Sequence, residues 1–344
     1  MSVMRPRILV TNWVHDETLQ RLSLLGDVES NESREPWPQD EIIRRAGKAD
    51  ALLAFMTDSI DAAFIAHCKQ LRIIACALKG YDNFDLAACD AAGVHVSIVP
   101  DLLTEPTAEL AVGLAIALGR NIRHGDALVR DGTFEGWRPV LYGTGLDKSD
   151  VAIIGMGLVG QAVAQRLAGF GCRLHGVDPQ ATMPETVTRT TLNAALDIAD
   201  FVIVCAPLTA TSRHLINADV LSRMKPDALL VNVGRGSVVD ESAVLAALES
   251  GALGGYAADV FEMEDWALPD RPQIVHPKLR SHRRTLFTPH LGSAVSRVRR
   301  MIEMRAVDNI ADVLEGRPPR DAIHAPEGIA DAGRIFSQDM KQRA

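Results

Sequence analysis

"VAIIGMGLVGQAVAQRLAGFG", residues 151–171, decides the fold. Its head is an apolar run of the kind found in a strand buried on both faces, and the segment after it has the character of a helix. Gly155, Gly157 and Gly160 lie between them in the pattern G-x-G-x-x-G. The first glycine allows a tight turn, the second lets backbone approach a pyrophosphate, and the third lets the helix pack on the strand. The helix N-terminus supplies N–H donors and positive dipole to the phosphates.

The next apolar run, "CRLHGVD", ends at Asp178, 18 residues beyond Gly160. An acid there accepts hydrogen bonds from ribose hydroxyls and repels a 2′-phosphate. Pro179 and Gln180 follow it, with no arginine, so NAD is expected rather than NADP. Met156, Leu158 and Val159 inside the glycine loop, Pro207 after "FVIVCAP", and Asp259 in "GGYAADV" complete the expected cofactor residues.

Outward from this motif, apolar runs alternate with helical segments along the whole chain. "RILVTN", "ALLAFM", "LRIIACAL" and "VHVSIVP" precede it; "ALLVNVG", "GGYAADV" and "TLFTPH" follow. This is the pattern of α/β architecture with doubly wound parallel sheets. Two long helices stand out. One begins near Thr104 as cap with Pro106 in its first turn, and is apolar all round, which places it between domains or between subunits. The other begins near Ser293 as cap and stops at Gly316. Two Rossmann-like domains with a cleft between them are expected: residues 1–102 with 291–344, and residues 103–290. The tail from about 318 to 344 has little periodicity.

Composition narrows the function classes. The 344 residues are 47% hydrophobic and 23% charged, with net charge -8, which disfavours nucleic acid or an anionic membrane as partner. The five cysteines, Cys68, Cys76, Cys89, Cys172 and Cys205, show neither zinc spacing nor a paired framework, and are expected as reduced thiols in a cytosol, with no metal. No signal peptide or membrane-length apolar run is present, so a cytoplasmic protein is expected.

Three further stretches each close a strand with polar residues: "LLVNVGRGSVVDE" presents Arg235, "GGYAADVFEMEDW" presents Glu262 and Glu264, and "TLFTPHLGSA" presents His290. Hydride transfer to a nicotinamide needs a cation for the substrate anion and a base tuned by a carboxylate. The residues alone do not choose between the two glutamates.

The order of these motifs resembles the D-2-hydroxyacid dehydrogenase family over nearly the whole chain. The resemblance selects Glu264, five residues after Asp259, to stand with Arg235 and His290 as the catalytic set. Within the family the chain is most similar to members that oxidise phosphite to phosphate with NAD, on "AFM" at 54–56, "CALKGYDNFD" at 76–85, "YGTGLD" at 142–147 and the "EMEDW" run. That resemblance implies phosphite as substrate, Lys79, Met56, Arg299, Trp137, Tyr142 and Ser293 as substrate-binding residues, and a homodimer. Phosphite carries most of two negative charges, which Lys79, Arg235 and Arg299 suit. His290 then serves either as general base or as an anion-binding cation. The alternatives are a hydroxyacid dehydrogenase acting on glyoxylate or hydroxypyruvate, and a dinucleotide-sensing binding protein.

Overall fold

A computed structural model describes residues 5–324. The chain divides into two compact units, Met1–Leu103 with Trp266–Pro269 and Val295–Ala344, and Thr104–Asp265 with Asp270–Ala294.

The first unit holds a six-stranded sheet built from β1 (Arg7–Val10), β2 (Asp27–Ser30), β3 (Ala51–Ala54), β4 (Ile73–Cys76), β5 (His95–Ser97) and β13 (Ala322–Ile323), in the order β13-β5-β4-β3-β1-β2. All neighbours are parallel except β13, which runs antiparallel to β5 through Ala322 opposite Ser97. Successive strand residues feed opposite faces, as the pleat requires. Leu9, Leu52 and Ile74 join one core; Ile8, Leu53 and Ile73 join another, which the helix Ser296–Leu314 covers with Val298, Ile302, Ala306 and Ile310. That helix starts at Ser296 with Val295 as cap, two residues after the expected cap Ser293. It ends where Gly316 turns into left-handed backbone at φ 84, as glycine best permits. Of the terminal tail, Ala322–Ile323 form the β13 edge, and residues 325–344 lie outside the described residues.

The second unit holds a seven-stranded parallel sheet: β6 (Asp150–Ile154), β7 (Arg173–Val177), β8 (Val187–Arg189), β9 (Phe201–Val204), β10 (Leu229–Asn232), β11 (Gly255–Ala258) and β12 (Thr285–Phe287), in the order β12-β11-β10-β9-β6-β7-β8. The strand order reverses between β6 and β9, the switch point where open α/β sheets bind ligands. The long apolar helix is Thr104–Gly119, with Thr104 its first residue rather than its cap. Its buried Ala108, Ala111, Val112, Leu114 and Ala115 sit in a core of this same unit, with Val151, Ile153, Val163 and Val231. Most of the apolar surface is therefore explained inside one unit.

Among the described residues no helix is long and apolar enough to cross a membrane. The five cysteines are free, Cys68, Cys76 and Cys89 buried and Cys172 and Cys205 half-buried, and burial pushes each thiol up, Cys205 to about 12.

Candidate active site

The glycine loop follows β6 directly. Gly155 sits at φ 90, and a Cβ there would lie 2.7 Å from the backbone nitrogen of Ala206 after β9, so any side chain would both strain and clash. A Cβ on Gly160 would lie 2.0 Å from the Gly155 carbonyl oxygen, which brings the helix Leu158–Leu167 hard against the loop. Among the described residues nothing lies within 4 Å of the Cβ position of Gly157, so the middle of the loop is open. Gly157 caps that helix, and its carbonyl takes the first intrahelical bond from Gln161 N–H. Helix geometry leaves the Leu158, Val159 and Gly160 N–H groups without intrahelical acceptors. An open cradle lined by such donors fits a pyrophosphate.

Asp178 closes the loop. Its Oδ2 accepts from Met156 N–H at 2.9 Å, and its Oδ1 from Gln180 N–H and Ala181 N–H at 2.9 and 2.8 Å. Burial opposes the charge, but these three donors outweigh it and hold the carboxyl below its ordinary range. The carboxylate keeps lone-pair capacity for ribose hydroxyls. Met156 acts through its backbone, since its side chain is fully buried in the core. Pro207 lies exposed after β9, its carbonyl accepting from Ser212 Oγ at 2.7 Å.

The residue absent from the sequence reading is Arg189. It reaches from β8 to the Asp178 carbonyl at 2.6 Å and to the Ala181 carbonyl, bracing the turn after Asp178. Only the pairing of β7 with β8 brings it there.

Arg235, Glu264 and His290 stand on turns after β10, β11 and β12, at the same sheet edge as the glycine loop because all these strands are parallel. Asn232 shapes the first turn, accepting Gly234 N–H at 3.1 Å and donating to the Arg235 carbonyl at 2.9 Å. Glu264 Oε1 accepts Phe261 N–H at 2.9 Å, and its Oε2 lies 2.6 Å from His290 Nδ1. Glu262 turns elsewhere, to His214 and Glu241. With Nδ1 engaged by Glu264, His290 keeps Nε2 for a substrate, lone pair outward when the ring is neutral.

His290 itself sits in left-handed backbone at φ 55, uncommon outside glycine and characteristic of constrained functional residues. Asp259, 1% exposed, holds this conformation. Its carbonyl accepts His290 N–H at 2.8 Å. Its carboxylate accepts Thr288 Oγ1 and Leu291 N–H, both at 2.6 Å, and Gly292 N–H at 2.8 Å. Burial raises this carboxyl, and the three donors pull against it. Three of about four acceptor sites are thus spent on the His290 turn, leaving one for a cofactor amide.

The substrate-binding candidates fall in different places. Met56 after β3 packs partly on the core, and its carbonyl is approached by Asn83 of the "CALKGYDNFD" turn. Lys79 is half-buried after β4. Arg299 departs from its exposed neighbours Arg297 and Arg300: burial lowers its pKa, and Nη1 donates to the Ala77 carbonyl at 3.3 Å. Arg299 and the Lys79 turn therefore meet at one strand end within the first unit. Ser293 is half-buried just after the Asp259-bonded Gly292. Trp137 and Tyr142 are 82% and 77% exposed on an irregular stretch of the second unit. Tyr142 also lines a cavity of about 420 Å³ with Arg123, His124 and Arg284, beside the starts of β10 and β12. That is the opposite sheet edge from Arg235 and His290, so the structure does not bring Tyr142 to the predicted site of its own unit.

Residues 112–292 match the family model of the NAD binding domain of the D-isomer specific 2-hydroxyacid dehydrogenases. The chain is 34% identical to a glyoxylate reductase of Aeropyrum pernix over 329 residues, 93% of this chain and 96% of the relative. It is 31% identical to a glyoxylate reductase of Pyrococcus furiosus over 330 residues, again 93% and 96%. The solved structure of the TT0316 protein from Thermus thermophilus is similar with TM-score 0.83 at 36% identity, covering 92% of this chain and 99% of that one. A glyoxylate/hydroxypyruvate reductase from Sinorhizobium meliloti, solved with NADP and malonate, is similar with TM-score 0.79 at 29% identity, covering 93% and 97%. With a glycine loop, an acid and a strand order that fit the dinucleotide, the chain belongs to the D-isomer specific 2-hydroxyacid dehydrogenase family, and its second unit is the NAD-binding domain.

Proposed function

We propose that the chain interconverts a small 2-hydroxy acid and its 2-oxo acid, of the glyoxylate type. The carrying observation is the 2.6 Å contact between Glu264 Oε2 and His290 Nδ1 on turns beside Arg235. NAD, when bound, accepts or returns the hydride. Arg235 binds the substrate carboxylate as a charge-assisted donor. In the oxidative direction His290 Nε2 takes the hydroxyl proton as the carbonyl forms, and Glu264 stabilises the resulting imidazolium. Reduction returns the same proton to the carbonyl oxygen. The glyoxylate reductases among the relatives support this reading over the phosphite expected from local stretches of sequence.

Phosphonate dehydrogenase activity, the oxidation of phosphite, is the second reading. It is favoured by half-buried Arg299 at the Ala77 carbonyl beside the Lys79 turn, which gives the first unit two cations suited to a dianion. On this reading water adds to phosphorus as hydride leaves, and His290 Nε2 takes the water proton. One assay separates the two: NADH formation with phosphite, D-glycerate or D-lactate, and NADH consumption with glyoxylate or hydroxypyruvate. Turnover of the organic acids without phosphite removes the second reading, and phosphite turnover alone removes the first. Lys79→Ala sharpens the answer, raising the substrate KM about tenfold on the phosphite reading, the scale of one charged hydrogen bond.

A homodimer is part of the proposal. Phe134, Trp137, Val140, Leu141 and Tyr142 are exposed together on one stretch, an apolar load that a second copy would cover. Light scattering on the wild type and on Trp137→Ala tests it; a wild-type monomer removes it.

A further inference from the structure

Beneath the catalytic candidates the Arg235 turn and the Glu264 turn are clasped together. A Cβ on Gly236 would lie 1.9 Å from the carbonyl carbon of Phe261, so the two turns touch through backbone. Ser237 N–H donates to Asp265 Oδ2 at 2.7 Å. Glu241 and Glu262 then exchange bonds: Glu241 N–H donates to Glu262 Oε1 at 2.8 Å, and Glu262 N–H donates to Glu241 Oε1 at 2.9 Å. Glu241 opens the helix Glu241–Ser250, where its N–H needs an acceptor from outside the helix. His214, in left-handed backbone at φ 50, adds a third tie, with its N–H on the Ser237 carbonyl at 2.7 Å and its Nε2 3.3 Å from Glu262 Oε2.

We infer that Glu241 and Glu262 are positioning residues, a carboxyl pair whose crossed backbone bonds hold the Arg235 turn and the Glu264 turn in one register. This rests on reading Arg235, Glu264 and His290 as the catalytic set.

Amide oxygens would accept the same two N–H groups without burying charge. Carboxyls make the clasp depend on a proton. Glu241, 5% exposed, faces Glu262, Glu264 and Asp265 from the neighbouring turn and Tyr256 from β11, with Asp240 beside it in the chain and His214 beyond Glu262. Burial first, and then the three carboxylates, push it up to about 7 against the single donor from Glu262. His214 is raised by its bond to Glu262, against the cost of its own burial. Below neutrality Glu241 is a neutral acceptor and the clasp is tight. Above it a second charge opposes Glu262, and the turns loosen.

Glu241→Gln preserves shape and acceptor while removing the titration. With NAD saturating and the substrate that the assay above identifies, the ratio of variant to wild-type kcat is expected to rise about threefold or more from about pH 6 to about pH 8.5, while the KM for NAD follows the wild type. Taking the ratio cancels any pH dependence common to both proteins. A ratio constant across this range, or kcat and NAD KM changing together, overturns the assignment. Should Glu241→Gln not fold, Glu262→Gln carries the test, because it removes the charge that ionised Glu241 opposes; its ratio must rise as well, and a constant one overturns the assignment. Full activity of His290→Asn would instead sink the underlying catalytic reading, so the two failures are distinguishable.

Discussion

The glycine loop at residues 155–160 and the turns carrying Arg235, Glu264 and His290 occupy the same edge of one sheet and are built in opposite ways. The loop is a contiguous device: strand, three glycines and helix follow one another, and Asp178 just after the adjacent β7 closes it with a bond to Met156 N–H. The turns carrying Arg235, Glu264 and His290 come from positions up to 55 residues apart, and beside near neighbours such as Asn232 and Phe261 they are held by groups distant in sequence. Asp259 reaches forward to shape the His290 turn, and Asp265 and Glu262 reach back to the Arg235 turn. Local motifs specify binding of a common cofactor. On the proposed reading, the particular chemistry depends on long-range carboxyl contacts beside the site.

The largest expected effect falls on the distributed half. His290→Asn removes the proposed proton acceptor and should lower kcat by about 10²–10⁴-fold, the usual contribution of a general base, while NAD affinity holds. NAD affinity measured by fluorescence titration alongside turnover checks this, and near-normal kcat would leave His290 outside the chemistry. On the contiguous half, Gly155→Ala forces a side chain into backbone at positive φ against Ala206. It should cost about 1–3 kcal/mol of stability and weaken NAD binding, read by thermal melts with and without NAD. A variant that melts and binds like wild type would mean the loop tolerates what its geometry forbids.

A smaller effect tests where the halves meet the ribose. Asp178→Ala should raise NADP use relative to NAD by about tenfold, the scale of a lost charged hydrogen bond, because Arg189 already stands beside that turn. Adding Arg189→Met should erase the gain in NADP kcat/KM. An unchanged preference in the first variant would place the selectivity elsewhere.

The smallest concerns stability. The folded-state pKa of Glu241 is about 7 against an ordinary 4.5, so the native state prefers the proton. Its contribution is full below about 4.5 and is lost as pH rises through about 7. Glu241→Gln should therefore melt a few degrees above wild type at about pH 8 and gain less at about pH 5. Equal shifts at both values would show that Glu241 does not titrate between them.

Much of this was legible from residues alone. The central strands announced themselves because burial on both faces leaves unbroken runs such as Phe201–Val204 and Leu229–Asn232. Three edge strands did not: Asp27–Ser30, Val187–Arg189 and Ala322–Ile323 are short and partly exposed, and the first two have a single apolar residue each. Missing β8 meant missing Arg189. Arg299 looks like Arg297 and Arg300 in the pattern of the sequence; the resemblance singled it out, and packing beside β4 is the physical feature that separates it from them. The Ser293 cap was misplaced because that segment is drawn into the turn organised by Asp259 before the helix begins.

The sequence by itself determined the α/β class, the dinucleotide loop and its acid, because strand burial, glycine geometry and helix N-termini act over a few residues. Tertiary structure showed the contact between Glu264 and His290 that the residues by themselves left open and the family resemblance anticipated, and it alone decided how Asp259 holds His290 in left-handed backbone and that Glu241 and Glu262 stand face to face. Those outcomes depend on which strand ends lie side by side, and proximity across a sheet is a property of packing that no local pattern carries.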